Sequence, residues 1–372
     1  MNEALSNLAD DFFKNSLDSS PTSAIMRGYK EYFDQIEELT ETRFDQNLKD
    51  LDKFEKRLKE INFDNLSNKE KVTYGMLEYA FGSNKDSLLD KSWEFGAGVS
   101  GFTGYLIDYN QQMFIPDLES ADLLLKRLEL YNQFFNQVSS VQKKGLNENR
   151  VATERNLLRT IDQIESYLKT SLEEDPLLLV NFSPEVSEQD VSSWKNKAKL
   201  IIESHVRPSV NSYLEQLKSE HLPKGRSDTN PGIMWIDGGD DIYLRSLRKF
   251  TGNKDITVKE VHETGLSEIK RLKKEFFEIG KNVFADVTTP EEVIHKMQTE
   301  PSMRFESKEQ MLQMAEDIIK RAYEPLSDWF TVFPKAPCNV LPVPEESEKH
   351  APPAYYYLSL IHISEPTRHC TI

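Results

Sequence analysis

Apolar residues recur at intervals of three and four along most of the chain, the spacing of amphipathic helices. Leu5, Leu8, Phe12 and Phe13 make a short first face. Phe44, Leu48, Leu51, Phe54, Leu58 and Ile61 predict a long second helix, and Ser67 with Glu70 reads as a capping box opening a third, with Val72, Met76, Tyr79 and Ala80 inward. A glycine-rich break follows at 96–104. Leu124, Leu128, Tyr131, Phe135 and Val138 form the next face, and Leu158, Ile161, Ile164, Leu168 and Leu172 another, which Pro176 ends. Trp194, Ala198, Ile201, Ile202 and His205 lead to Pro208, which should kink or restart a helix continuing through Val210, Leu214 and Leu217.

The clearest helix start is Thr257 with Glu260, a second capping box, with Ile256 and Val261 at the staple positions. Val261, Gly265, Ile269, Leu272, Phe276 and Ile279 are the inward face behind it. Thr289-Pro290-Glu291-Glu292 repeats the logic with Pro at the first helical position. Ser307 and Gln310 open a last helix through Met311, Met314, Ala315, Ile318 and Ala322. From Val332 to Tyr357 the prolines are too frequent for helix, and the segment reads as an extended lead-in. The loop 223–241, rich in Gly and Pro, is the candidate subdomain boundary or a short hairpin. No fixed-period repeat is present. The fold class is all-α or nearly so.

Charge narrows the function. The 372 residues carry 46 Lys and Arg against 62 Asp and Glu, a net charge of -16. This argues against nucleic acid as a partner, since phosphates need a basic patch, and against docking on anionic membrane. No apolar run approaches the ~20 residues that span a bilayer. The first residues lack a basic start followed by an apolar core, so they do not read as a signal peptide. Two cysteines, Cys338 and Cys370, give neither a disulfide framework nor paired metal-ligand spacing. A cytoplasmic setting is the default expectation; oligomeric state is not legible.

Gly96, Gly98 and Gly101 match a dinucleotide-binding glycine pattern, but that chemistry needs a strand before and a helix after the glycines. A tight inter-helix loop is the simpler reading. His262-Glu263 begins like a zinc-protease helix, yet position 266, where the second imidazole belongs, is Leu266. His205, His221, His295, His350, His362 and His369 supply no pair one turn apart. Asp237, Asp240 and Asp241 lack calcium-loop spacing and read as helix N-capping. Met297, Met303, Met311 and Met314 read as core packing. Cys338 has no local partner to activate it, and no nucleophile elbow is present. The residues thus give no catalytic and no metal-ligating set.

Three segments carry a resemblance. Asp18-Ser-Ser-Pro21-Thr-Ser-Ala24-Ile-Met-Arg-Gly28-Tyr, with Tyr32-Phe33-Asp34, resembles the opening signature of domain-of-unknown-function family 885. Asp255-Ile-Thr-Val-Lys-Glu-Val-His262-Glu-Thr-Gly265-Leu resembles its mid-chain helix start. Val340-Leu-Pro-Val-Pro344-Glu and Pro353-Ala-Tyr-Tyr resemble its lead-in to the catalytic part. The resemblance covers roughly residues 2–357 and implies a large helical, zincin-like scaffold. It also implies a zinc cofactor for the full-length protein, peptides or similar amides as substrates, and hydrolysis by metal-activated water with a glutamate base. The motif that supplies those groups, a His-Glu-x-x-x-His or related zinc helix, is absent here, so none is carried over. By the same resemblance Ala354, Tyr355 and Tyr356 border the substrate cleft as an edge strand.

Residues 358–372 resemble no continuation of that family and read as translated sequencing-adapter read-through, the competing reading being a natural C-terminal tail. The expectation is therefore the N-terminal helical part (1–357) of a zinc-metallopeptidase-like hydrolase, cut before its metal site and inactive alone. The alternative is a non-catalytic helical interaction module. A third idea, nucleotide binding at Gly96 to Gly101, predicts a ligand-dependent rise in melting temperature.

Overall fold

The computed structural model describes residues 2–97, 110, 113–331, 338–342, 355–362 and 365–371, the last two segments by backbone alone. The chain forms two compact units, Met1–Lys254 and Asp255–Ile372. The loop 223–241 lies inside the first, and the division falls after it. Helices dominate both, as the periodicity predicts.

Unit 1 begins with α1 (Glu3–Ser19), α2 (Pro21–Met26), α3 (Glu41–Lys59) and α4 (Asn68–Asp90). The faces of α1, α3 and α4 close one core around Leu5, Leu8, Leu51, Phe54, Leu58, Ile61, Leu77 and Phe81. Phe12 meets the rings of Phe54 and Phe81 edge-on at 5.7 and 4.8 Å. The Ser67 capping box forms as expected, with Ser67 and Glu70 bonding each other's backbone N–H. The face of α4 behind it differs from expectation. Val72, Met76 and Tyr79 are exposed, and Leu77 and Phe81 go inward. This helix carries apolar residues on more than one side, so the position of α1 and α3, not periodicity, chooses the buried side.

The larger core is built by α5 (Leu118–Glu129), α6 (Tyr131–Asn147), α7 (Glu154–Lys169), α8 (Glu188–Ile201) and α9 (Arg207–Gln216). Leu124, Leu128, Tyr131, Phe135, Val138, Ile161 and Ile164 are buried as their spacing predicts, whereas Leu158 is exposed and Leu157 takes its place. Burying each such large side chain contributes about 1.5–3 kcal/mol before the entropy of ordering it is subtracted. A short parallel pair, β1 (Phe114–Ile115) and β2 (Asn181–Phe182), ties the entry of α5 to the loop after α7. Trp194 Nε1 donates to the Ala121 carbonyl at 2.8 Å, so its one polar atom is satisfied in the core.

The chain stays helical across Pro208, which sits at the start of α9. A π-turn, Ile202–Val206, precedes it, closed by Arg207 N–H bonding to the Ile202 carbonyl five residues back. The wider turn makes room where the proline ring would crowd the preceding carbonyls and where its N–H is missing. The extra residue also shifts the buried face. Ile202, Val206 and Val210 point inward, and His205, expected inward, is exposed. A second π-turn, Leu217–His221, does the same before Pro223. Unit 1 ends with α10 (Gly239–Thr251), entered through Gly238 at φ 72° and left through Gly252 at φ 66°, backbone settings that favour glycine.

Unit 2 contains α11 (Val258–Val283), α12 (Pro290–Thr299), α13 (Lys308–Tyr323) and the short α14 (Leu326–Trp329). The caps expected at Thr257, Thr289 and Ser307 all form. A three-stranded sheet, ordered β3-β5-β4, pairs β3 (Cys338–Leu341) parallel with β5 (Glu365–Thr371), which is antiparallel to β4 (Tyr355–His362). Packing is sparse. Gly280 of α11 is buried because α12 crosses there, and a Cβ at that position would come within 2.6 Å of Val293. Ile269, Leu272 and Ile279, expected inward, are exposed, as are Met297, Met303 and Met314, expected to pack a core. Their spacing correctly marks an apolar face, but the described residues of the unit do not cover it.

Candidate functional site

The helices of the larger core carry a buried polar seam that sequence reading missed, because its members are residue types normally assigned to the surface. Arg127 lies on the inward face of α5 and is fully buried. Its guanidinium donates to the Thr22 hydroxyl at 2.5 Å and to the Gln35 carbonyl. Thr22 in turn donates through its N–H and hydroxyl to the two oxygens of Glu37, at 2.9 and 2.8 Å, so an orphan N–H at the start of α2 is satisfied by that carboxylate. Glu37 approaches Arg127 at 3.8 Å. This set clamps α2 and the segment before α3 onto α5.

One turn along from Arg127, Tyr131 is buried, and burial pushes its hydroxyl up to about 12. The Tyr167 hydroxyl is raised further, first by burial and then by the nearby Asp175 carboxylate. Among the described residues neither hydroxyl has a hydrogen-bond partner. Asp175, fully buried, accepts from Arg207 Nε at 3.1 Å and Nη2 at 2.9 Å, and its other oxygen accepts from Leu177 N–H at 3.0 Å. Arg207 also donates to the Thr170 carbonyl and lies 5.7 Å from the Tyr167 ring centre. Asn110 Nδ2 closes the seam on the Leu177 carbonyl at 2.9 Å. Every carboxylate here already has its donors and the phenols hold their protons, so the seam offers no free base or nucleophile. Its chemistry is that of a lock between helices.

A second buried pair fastens the other end of unit 1. Arg150 meets Glu94 at 2.7 Å and donates to the carbonyls of Asp237 and Asp90 at 2.8 and 2.5 Å. Arg245 of α10 takes the Asp90 side chain. Gly145 is required beside it, since a Cβ there would stand 2.3 Å from the Glu94 carbonyl oxygen. The loop 223–241 is therefore sewn into unit 1 by Asp237 and by the Thr153–Arg226 bridge, and it forms no hairpin.

The residues singled out in the sequence do not converge. Gly96 follows a 3₁₀ turn, Ser92–Glu94, with no strand before it; Gly98 and Gly101 lie outside the described residues. His262 is exposed on α11, and Glu263 pairs with Lys259 at 3.7 Å. His205 and His295 are exposed, whereas His221 is buried. Asp237 accepts from Asn149, and Asp240 and Asp241 occupy the first turn of α10 behind a Gly238 cap, where the helix dipole favours them without a side-chain cap. Cys338 is half-buried in β3. Tyr355 and Tyr356 lie in β4, an edge of its sheet, paired with Thr371 and Cys370; Ala354 lies outside the described residues. Among the described residues no group of three or more His, Cys, Asp or Glu side chains could hold a metal ion. No described helix is long and apolar enough to cross a membrane.

No curated protein matches the sequence. Solved structures share its fold, two of them as follows. A provisionally named lipoprotein from Colwellia psychrerythraea is 18% identical with a TM-score of 0.82, over 99% of this chain and 66% of its own. A provisionally named lipoprotein of unknown function from Shewanella oneidensis is 15% identical with a TM-score of 0.60, over 92% of this chain and 61% of its own. The chain thus spans just under two-thirds of the relatives it matches. The family profile of DUF885, described as a bacterial protein of unknown function, matches residues 21–371 and so also runs across 358–371, which the sequence reading sets apart. On that match, the chain belongs to domain-of-unknown-function family 885.

Proposed function

We propose that this chain is the helical scaffold part of a zinc-dependent, peptidase-like hydrolase acting on peptides or similar amides, and that it hydrolyses nothing by itself. The observation that carries the second half is the scatter of its histidines and carboxylates: no described set of donors converges on a metal, and every carboxylate of the buried seam is already taken. The first half rests on the segments near Asp18, Asp255 and Val340 that resemble the family. No catalytic step is assigned to residues of this chain. Tyr355 and Tyr356 are proposed, with Ala354, to border the substrate. An edge strand offers unpaired N–H and carbonyl groups to an extended peptide.

Two assays test the proposal. The purified chain should contain no stoichiometric zinc by elemental mass spectrometry and should cleave no peptide library. One zinc per chain with chelator-sensitive cleavage would overturn the claim of inactivity. The longer Colwellia relative should bind one zinc and lose peptide cleavage on chelation; a zinc-free, inactive relative would overturn the hydrolase reading.

A second reading, a non-catalytic helical interaction module, is favoured by the open apolar faces of unit 2. The names of the two structural relatives also set a lipid-anchored location against the cytoplasmic one expected from the sequence. Cell fractionation of the native protein separates these.

A further inference from the structure

The least satisfied feature of the described structure is the apolar stripe of α11. Val261, Gly265, Ile269, Leu272, Phe276, Ile279 and Val283 recur every three or four residues along a 26-residue helix, a face about 33 Å long at 1.5 Å per residue. Leu272 is 51% exposed and Ile279 64%. Val261 and Phe276 are half-buried, and the Gly280 end is closed by Val293. Most charges beside the stripe pair with one another: Arg271 bonds Glu268 and Glu275, Lys281 pairs with Glu278 at 2.9 Å, and Lys273 reaches Glu291 at 3.4 Å, while Lys270 and Lys274 add charge outside these pairs. What the stripe itself offers a partner is apolar. An exposed apolar surface of this extent marks a contact.

We infer that this face of α11 is a docking surface for a further helical polypeptide segment of the same fold, the counterpart of the third of the relatives' length that lies outside the match. Two facts select that occupant. The Colwellia structure aligns with 99% of this chain yet has about a third of its own residues left over. The flanks of α11 carry both signs of charge, with Lys270 and Lys274 set among Glu268, Glu275 and Glu278, and the net charge of -16 opposes phosphate and anionic lipid. A helix of this length also needs tertiary cover, because isolated helices are marginal in water. The inference stands apart from the hydrolase reading, since the face would be covered equally in an inactive protein.

The test compares one double substitution in two proteins. In the full chain, Leu272→Glu with Ile279→Glu should lower the fluorescence of an apolar-surface dye several-fold. Helix content by circular dichroism and the melting temperature should stay unchanged. At the equivalent positions of the longer Colwellia relative, the same pair should lower the melting temperature by about 5 °C or more. Unchanged dye binding in the chain, or an unaffected relative, overturns the inference. So does a dimer seen by light scattering that the double variant dissociates, because the occupant would then be a second copy.

Discussion

Helices α6 and α11 look alike in sequence, each a long amphipathic segment with an apolar residue every three or four positions, yet they end in different surroundings. The stripe of α6, from Tyr131 through Phe134, Phe135, Val138 and Val141, is buried on neighbouring helices. Among the described residues of α11 only Gly280 is buried. The helix α13 goes the same way, burying none of its described residues. Periodicity therefore reports which face of a helix requires a partner, and says nothing of whether the partner is at hand. Unit 1 closes two cores between its helices; unit 2 is a set of well-capped helices with much of their apolar faces open.

The largest expected effect lies in the buried seam. Arg127→Ala should cost about 3–5 kcal/mol in urea unfolding, because it leaves buried Thr22 and half-buried Glu37 without their cation. A loss under about 1 kcal/mol would mean that water already serves the seam and that it locks nothing. Next comes the core itself. Leu124→Ala or Ile164→Ala should cost about 2–5 kcal/mol. Ile269→Ala on α11 should stay within about 0.5 kcal/mol, as for ordinary surface sites. Equal costs would erase the contrast between the units.

Glycine gives a third, finer comparison. Gly145→Ala drives a Cβ toward the Glu94 backbone and should cost about 1–3 kcal/mol. Gly265→Ala, on a helix with nothing within 4 Å of the new carbon, should stabilise by about 0.4–1 kcal/mol. The smallest effect is with acid, where the units should respond alike. Glu70 is held at about 2, well below the ordinary carboxylate, first by the Ser67 hydroxyl and N–H and then by Asn2 N–H; Asp117 is held at about 2 by Lys30 and then by Ser120 N–H. In unit 2, Glu260 is lowered by Thr257 in the matching box. Depressed folded values mean stability that is present above the ordinary carboxylate range and is lost as pH falls toward 2. Melting curves at pH 6, 4 and 2.5 should show this fall in both units, and Glu70→Gln should flatten it for unit 1.

Local features were the legible part of this fold. The boxes at Ser67 and Thr257, the proline start at Pro290 and the cap at Ser307 depend on four neighbouring residues, and each forms where the sequence places it. Faces were legible where a helix has one apolar side, as around Leu124 and Val138. They were not where it has more, as with Met76 against Leu77, or where a π-turn moves the register, as at His205. The buried charges Arg127, Arg150, Glu94 and Asp175 could not be read at all. Their burial is set by partners distant in sequence, such as Arg127 with Glu37 or Arg150 with Glu94.

Hydrogen exchange of the intact chain, followed by mass spectrometry at peptide resolution, tests the contrast most directly. Amides of α6 and α7 should exchange only through global unfolding, whereas those in the middle of α11, near Ile269 and Leu272, should exchange through local opening, orders of magnitude faster. Equal protection of α6 and α11 would show that the α11 face is already covered in this chain, and would contradict the account of unit 2 as an open docking surface.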